Sequence, residues 1–150
     1  MATKSVPSTP TAPAPQTNRI RMASFGALTM LIIQFILGTA YAIYGTAPTS
    51  TQPVGIFSTP LLAVHVILGI LLVVAAIMLV VRSVQARSRP LVVASAIGLL
   101  AVLGACGAGS AFTGTGSNGA SLAMALLTAV AMLAYAINLV VTGTPRAGAR

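Results

Sequence analysis

Few side chains in this 150-residue sequence can do chemistry, and they are spread thinly along it. His65 is the only histidine, and the only side chain whose ordinary titration falls near neutrality. A neutral imidazole is a haem or metal ligand, and the thioether of Met124 could supply a second axial ligand, as His/Met pairs do in some cytochromes. Gly69 lies one helical turn from His65 on the same face, where it would let a flat porphyrin approach the backbone. A symmetric pair of chains could instead offer two copies of His65 to one haem. The plainer reading is a hydrogen bond between helices, from His65 to Tyr41, Ser110 or a backbone carbonyl. Familiar four-helix haem proteins use two or more histidines, so the sequence assigns no cofactor and keeps haem b as the alternative. Cys106 is the only cysteine. It can form no disulfide within the chain, and one Cys with one His makes no structural zinc site. It reads as a small buried filler.

The absences are as informative. Asp+Glu is 0, against a Lys+Arg of 8. Without a carboxylate side chain there is no carboxylate general acid or base, no triad with an orienting Asp and no glycosidase pair. Nor is there a side-chain cage for calcium or a carboxylate proton relay across a membrane. The net charge of +8 does not indicate nucleic acid, because the bases punctuate apolar segments instead of clustering with aromatics on one face. Lys4, Arg19 and Arg21 precede the first such segment, Arg82, Arg87 and Arg89 separate the second from the third, and Arg146 and Arg150 follow the fourth.

These segments are the elements that must position the chemistry. With 57% hydrophobic and 5% charged residues, the chain is a polytopic membrane protein. Apolar runs cover about 22–44, 61–81, 91–112 and 120–141. Each is long enough, at about 1.5 Å per residue, to cross a hydrocarbon core of roughly 30 Å as a helix, and each is about twice the length of a barrel strand. Pro90 opens the third helix, and Thr142-Gly143-Thr144-Pro145 stops the fourth. The expected fold is therefore all-α, an integral membrane four-helix bundle over 19–143. A disordered Pro/Thr/Ala-rich tail over 1–18 precedes it and a short basic tail over 144–150 follows. The stretches 46–59 and 113–118 carry no charge, while every basic residue lies in a tail or in the second connection. By the positive-inside rule both termini are cytoplasmic, in a bacterial plasma membrane. Ala40-Tyr41-Ala42 has the form of a signal-peptidase site, and cleavage there would leave three helices. The preceding apolar stretch is longer than a signal core, so the first helix is expected to stay.

Small residues form seams along these helices: Gly98, Ala101, Ala105 and Ala108, beside Gly104, Gly107 and Ala111, then Ala125, Ala129, Ala131 and Ala134, with Gly38 and Ala42, and Gly69 and Ala76. They predict close backbone approach in a left-handed bundle. Polar side chains should face the interior. Tyr41, His65, Cys106, Ser110 and Ser121 fall at one level near the outer surface, with Met124 beside them. Gln34 stands near the middle of the first helix, as a helix–helix hydrogen bonder, and Tyr135 and Asn138 lie toward the inner end of the fourth. Gly114 to Gly119 is glycine-rich but lacks the lysine and the strand of a phosphate loop. It reads as an external turn, with Ser117 or Asn118 capping the fourth helix.

The ordered set Gln34-Phe35-x-Leu37-Gly38, His65-x-x-Leu68-Gly69, Ala108-Gly109-Ser110-Ala111-Phe112 and Ser121-Leu122-Ala123-Met124-Ala125 resembles a group of small four-helix membrane proteins of actinobacteria, over about 22–141. The chain departs from that group at Ala108, where an Asn often stands, so any role of that Asn beside the histidine does not carry over. The group has no established activity, and the resemblance implies the fold alone. The fold is also broadly similar to half of a haem-handling bundle of the heme A synthase type, which uses more histidines. The expectation for function is a non-enzymatic accessory or assembly subunit of a membrane complex, with a membrane-protein partner or a second copy of the chain. A small haem- or quinone-linked redox protein using His65 is the alternative. A small transporter or channel is weaker, because Gln34, Asn138 and the hydroxyls trace no polar path.

Overall fold

The computed structural model describes residues 15–55 and 57–144. Four helices make up the chain in order: α1 (Pro15–Tyr44), α2 (Pro60–Gln85), α3 (Arg89–Thr115) and α4 (Asn118–Gly143). Each is long and apolar enough to cross a membrane. Only a minority of each span is buried inside the protein. Large apolar side chains instead point outward on every helix, as with Phe25 (61% exposed), Ile70 (61%), Leu100 (68%) and Leu133 (64%). An apolar belt this continuous needs lipid as its solvent. The chain is a multi-pass membrane protein by the standard of its four helices.

α1 begins ahead of the apolar run and carries Arg19 and Arg21 in its first turns. Of the tail expected to be disordered, Pro15–Asn18 are thus helical, and residues 1–14 lie outside the described residues, as does the basic tail from 145 onward. Proline suits the first turn of a helix, where its missing N–H has no partner to lose. α2 and α3 also open on proline, behind Thr59 and Ser88. Thr59 caps α2, accepting from the Leu62 N–H at 3.3 Å. Ser117 occupies the cap position of α4 and Asn118 its first turn, but the Ser117 side chain makes no capping bond.

The short α2–α3 and α3–α4 joins force an up-and-down bundle. Each helix packs on its two sequence neighbours, α4 closes the ring against α1, and the diagonal pairs do not touch among the described residues. Arg87 takes a left-handed φ of 51° in the α2–α3 join. Gly116 takes one of 68° at the end of α3, where its N–H donates to the Phe112 carbonyl at 2.8 Å. A side chain at Gly116 would also strike the Pro48 carbonyl. Val54 N–H donates to the Thr113 carbonyl at 3.1 Å, so the connection after α1 crosses to the far end of α3 before returning to α2. Arg19, Arg21, Arg82, Arg87 and Arg89 all lie at the opposite end of the bundle.

The bundle has two unlike halves. At the end that carries the arginines it is solid. Leu91, Ala94, Ser95, Gly98, Ala101 and Val102 of α3 face Ala131, Ala134, Tyr135, Asn138 and Thr142 of α4, at the three- and four-residue spacing of one helix face. The Tyr135 ring lies over Gly98, so that a Cβ there would come within 2.5 Å of Cε1. Ile20, Ala27 and Leu31 of α1 and Leu72, Ala76 and Leu79 of α2 complete the core. Beyond Val102 in α3, and before Ala131 in α4, no residue is fully buried. The small-residue reading therefore divides. Gly98 takes the Tyr135 ring and Gly104 the Leu127 side chain, 3.0 Å from a built Cβ, but Gly107 has nothing within 4 Å of a built Cβ and is exposed. Ala129 is exposed as well. On the axis-facing side of this stretch of α3, Ala105, Cys106, Gly109 and Ser110 carry side chains too short to fill the bundle, and an opening results.

Candidate functional site

That opening is a cavity of about 650 Å³ in the half of the bundle away from the arginines, and all four helices line it. Its walls are mainly apolar, with Leu31, Leu72 and Val102 toward its floor and Leu62 near its mouth. Its polar groups include Gln34, Thr39, His65, Ser110, Thr113 and Thr128, and none of its lining residues is charged. The volume falls within the range of small-molecule sites, and apolar walls with a few polar groups are their usual lining.

Two glycines shape the α1–α2 wall reciprocally. Gln34 and Gly38 are one turn apart on α1, and His65 and Gly69 one turn apart on the antiparallel α2. The Gln34 amide nitrogen stands 3.1 Å from where a Cβ of Gly69 would be, and His65 Cε1 stands 3.3 Å from the corresponding point at Gly38. Each large polar side chain thus rests on the other helix's glycine. Across the cavity the pattern repeats between α4 and α3, with Met124 Sδ 3.3 Å from the point a Gly109 Cβ would occupy.

Hydrogen bonding at the first wall is incomplete. The His65 ring lies beside the Gln34 backbone, and its Nδ1 is buried without a hydrogen-bond partner. Gln34 Oε1 is buried and unpartnered too. In hydrocarbon such groups are costly unless something completes them. Of the partners the sequence offered His65 (Tyr41, Ser110 or a backbone carbonyl), the Tyr41 hydroxyl is spent on the Thr46 carbonyl at 3.1 Å, and it is the backbone of α1 at Gln34 that the ring lies beside.

The structure brings Tyr41, His65, Cys106, Ser110, Ser121 and Met124 onto one cavity wall or another. Their environments differ. Tyr41 is buried, His65, Ser121 and Met124 half-buried, and Ser110 exposed. Cys106 is exposed as well, which corrects the expectation of a buried filler: the small residues around it leave its thiol uncovered. Gln34 is part of the site, not an isolated mid-helix hydrogen bonder, because Gly69 makes room for it. His65 and Met124 sit on diagonal helices, but the His65 ring rests against α1 and Met124 Sδ against α3. No cluster of three or more His, Cys, Asp or Glu exists among the described residues.

Sequence reasoning missed the polar girder beneath the cavity. Ser83 donates to the Leu79 carbonyl at 2.8 Å, which uses its single proton. The 2.9 Å contact between Ser83 and Ser95 must therefore run from Ser95 to Ser83. Ser95 in turn accepts from the Asn138 amide at 3.0 Å. One directed chain thus ties α4 to α3 to α2, and Ser83, Ser95 and Asn138 are all fully buried. The Thr142 hydroxyl donates to the Asn138 carbonyl at 2.7 Å. Ser83 and Ser95 were discoverable as lone hydroxyls on the buried stripe of apolar helices. Ser24, also buried, has no partner for its hydroxyl.

No family model, no curated protein and no solved structure matches this chain.

Proposed function

We propose that this chain is a non-enzymatic membrane protein that holds a lipid-soluble molecule in the outer half of its bundle, as an accessory subunit to the membrane protein that uses it. The carrying observation is the 650 Å³ cavity, walled by all four helices and closed at one end by the packed half with its Ser83–Ser95–Asn138 girder. The opening has a cause in the sequence, the short side chains of Ala105, Cys106, Gly109 and Ser110. The chain sits in a bacterial plasma membrane with both termini cytoplasmic and the cavity in the outer leaflet. The support for this orientation is the confinement of Arg19, Arg21, Arg82, Arg87 and Arg89 to the other end. The lipid-facing belt leaves room for a partner subunit or a second copy.

A haem reading draws on His65 and Met124 lining the same cavity. Haem carries two propionates, and no lining residue is a cation to receive them, so an uncharged molecule is better supported. The test is extraction of the full chain in a mild detergent, with mass spectrometry of what accompanies it and a visible spectrum. One molecule distinct from bulk lipid is expected per chain, with no Soret band. Ala105→Phe, which fills the cavity, should release that molecule while helicity is kept. A parent chain isolated empty would refute the binding reading, and a stoichiometric Soret band would replace it with the haem reading.

A further inference from the structure

We infer that the molecule held in this cavity is an uncharged lipid whose carbonyl or hydroxyl head hydrogen-bonds to the wall of His65 and Gln34, the chemistry of a quinone ring or a diacylglycerol. The inference rests on the binding reading above and adds the head-group class and the side chains that select it.

Charge excludes the alternatives. The chain contains no Asp or Glu, so a cationic head has no side-chain counterion anywhere in it. An anionic head fares no better, because the cavity lining includes no Lys or Arg and the described arginines lie at the opposite end of the bundle. A charged group brought among Leu31, Leu72 and Val102 would be desolvated without a partner, which hydrocarbon-level sites do not tolerate. Phospholipids and polyprenyl phosphates are therefore poor occupants at the head, whereas their uncharged relatives meet no penalty.

Hydrogen bonding then selects among uncharged lipids. The α1–α2 wall holds two polar side chains that line the cavity, His65 and Gln34, each seated on a glycine. A neutral imidazole carries one donor and one acceptor nitrogen, and the Gln34 amide carries two donors and an acceptor oxygen. A carbonyl or hydroxyl head is matched by either. A plain hydrocarbon would leave the wall unsatisfied. Gly38 and Gly69 matter because they hold these two side chains at the helix interface and leave the axis open for the head, with the apolar floor left for ring or chain carbons.

The full chain in detergent would be titrated with decylubiquinone, dioleoylglycerol and dioleoylphosphatidylglycerol, with occupancy read by native mass spectrometry. At least one neutral probe is expected to bind one per chain, and which one does so tells quinone from glyceride. The anionic probe is expected to bind at least about tenfold more weakly. His65→Leu should weaken the neutral probe about tenfold, the value of one lost hydrogen bond, while His65→Gln, which keeps a donor, should stay close to the parent. Phosphatidylglycerol binding as tightly as the neutral probes would overturn the inference and leave the binding reading standing. So would a neutral probe indifferent to His65→Leu in a folded variant. Where that variant does not fold, the comparison of probes on the parent chain decides. A chain that takes none of the three and is isolated empty overturns the binding reading itself.

Discussion

Ser95→Ala should be the most costly removal of a single oxygen from the half of the bundle that carries the arginines. The Ser95 hydroxyl is the middle link of the chain from Asn138 through Ser83 to the Leu79 carbonyl, accepting at 3.0 Å and donating at 2.9 Å. Its loss breaks two interhelical bonds, at about 0.6 kcal/mol each between membrane helices. It also strands a buried amide donor of Asn138, for about 1 kcal/mol more. Asn138 has no reserve, since its Oδ1 is already unpartnered. The total is about 2 kcal/mol. Ser83→Ala should cost only about 0.6 kcal/mol, because the freed Ser95 hydroxyl can turn to a carbonyl one helical turn back, a bond Ser83 already makes to Leu79 at 2.8 Å. In the double variant Ser83→Ala should add almost nothing to Ser95→Ala, since the bond it would remove is already gone. Unfolding in mixed micelles by titration with dodecyl sulfate, followed by far-UV circular dichroism, measures all three. Equal costs for the two single variants, or simple additivity in the double, would refute the directed chain.

Three further outcomes are expected. Gly98→Ala should destabilise by about 1–3 kcal/mol, because its Cβ would come within 2.5 Å of Tyr135 Cε1, whereas Gly107→Leu, with nothing within 4 Å, should be near neutral in the same titration; the reverse order would place the packed face of α3 elsewhere. Gly116→Ala should cost about 1–2 kcal/mol for the left-handed backbone, and the collision with the Pro48 carbonyl should hasten protease cleavage of the connection after α1; unaltered cleavage would mean that this connection is not held by Gly116. A periplasm-dependent reporter fused after Gly55 or Gly116 should be active and one after Ser88 or at the C-terminus silent, and an active C-terminal reporter would defeat the both-ends-in topology.

The sequence by itself determined the number of helices, their approximate limits and their solvent, because hydropathy and charge act locally and add up along a segment. Four uncharged apolar runs of spanning length leave one architecture, and the helices run past those limits by a few residues into the polar flanks, most at Pro15 of α1 and Gln85 of α2. The level shared by Tyr41, His65, Ser110 and Ser121 was legible for the same reason, since depth follows from residue count along a helix. What those residues surround was decided by tertiary structure. A glycine in a helix reads the same whether another helix's side chain fills its notch, as Tyr135 does at Gly98 and Gln34 at Gly69, or whether it faces open space, as at Gly107. Small residues permit close approach or leave a void, and the outcome depends on what arrives from the facing helix. Ala131 and Ala134 are buried in the half that carries the arginines, and short side chains on both α3 and α4 leave the other half open. The Ser83–Ser95–Asn138 chain joins hydroxyls from two helices to an amide on a third, and no spacing along one helix encodes a rotation between three.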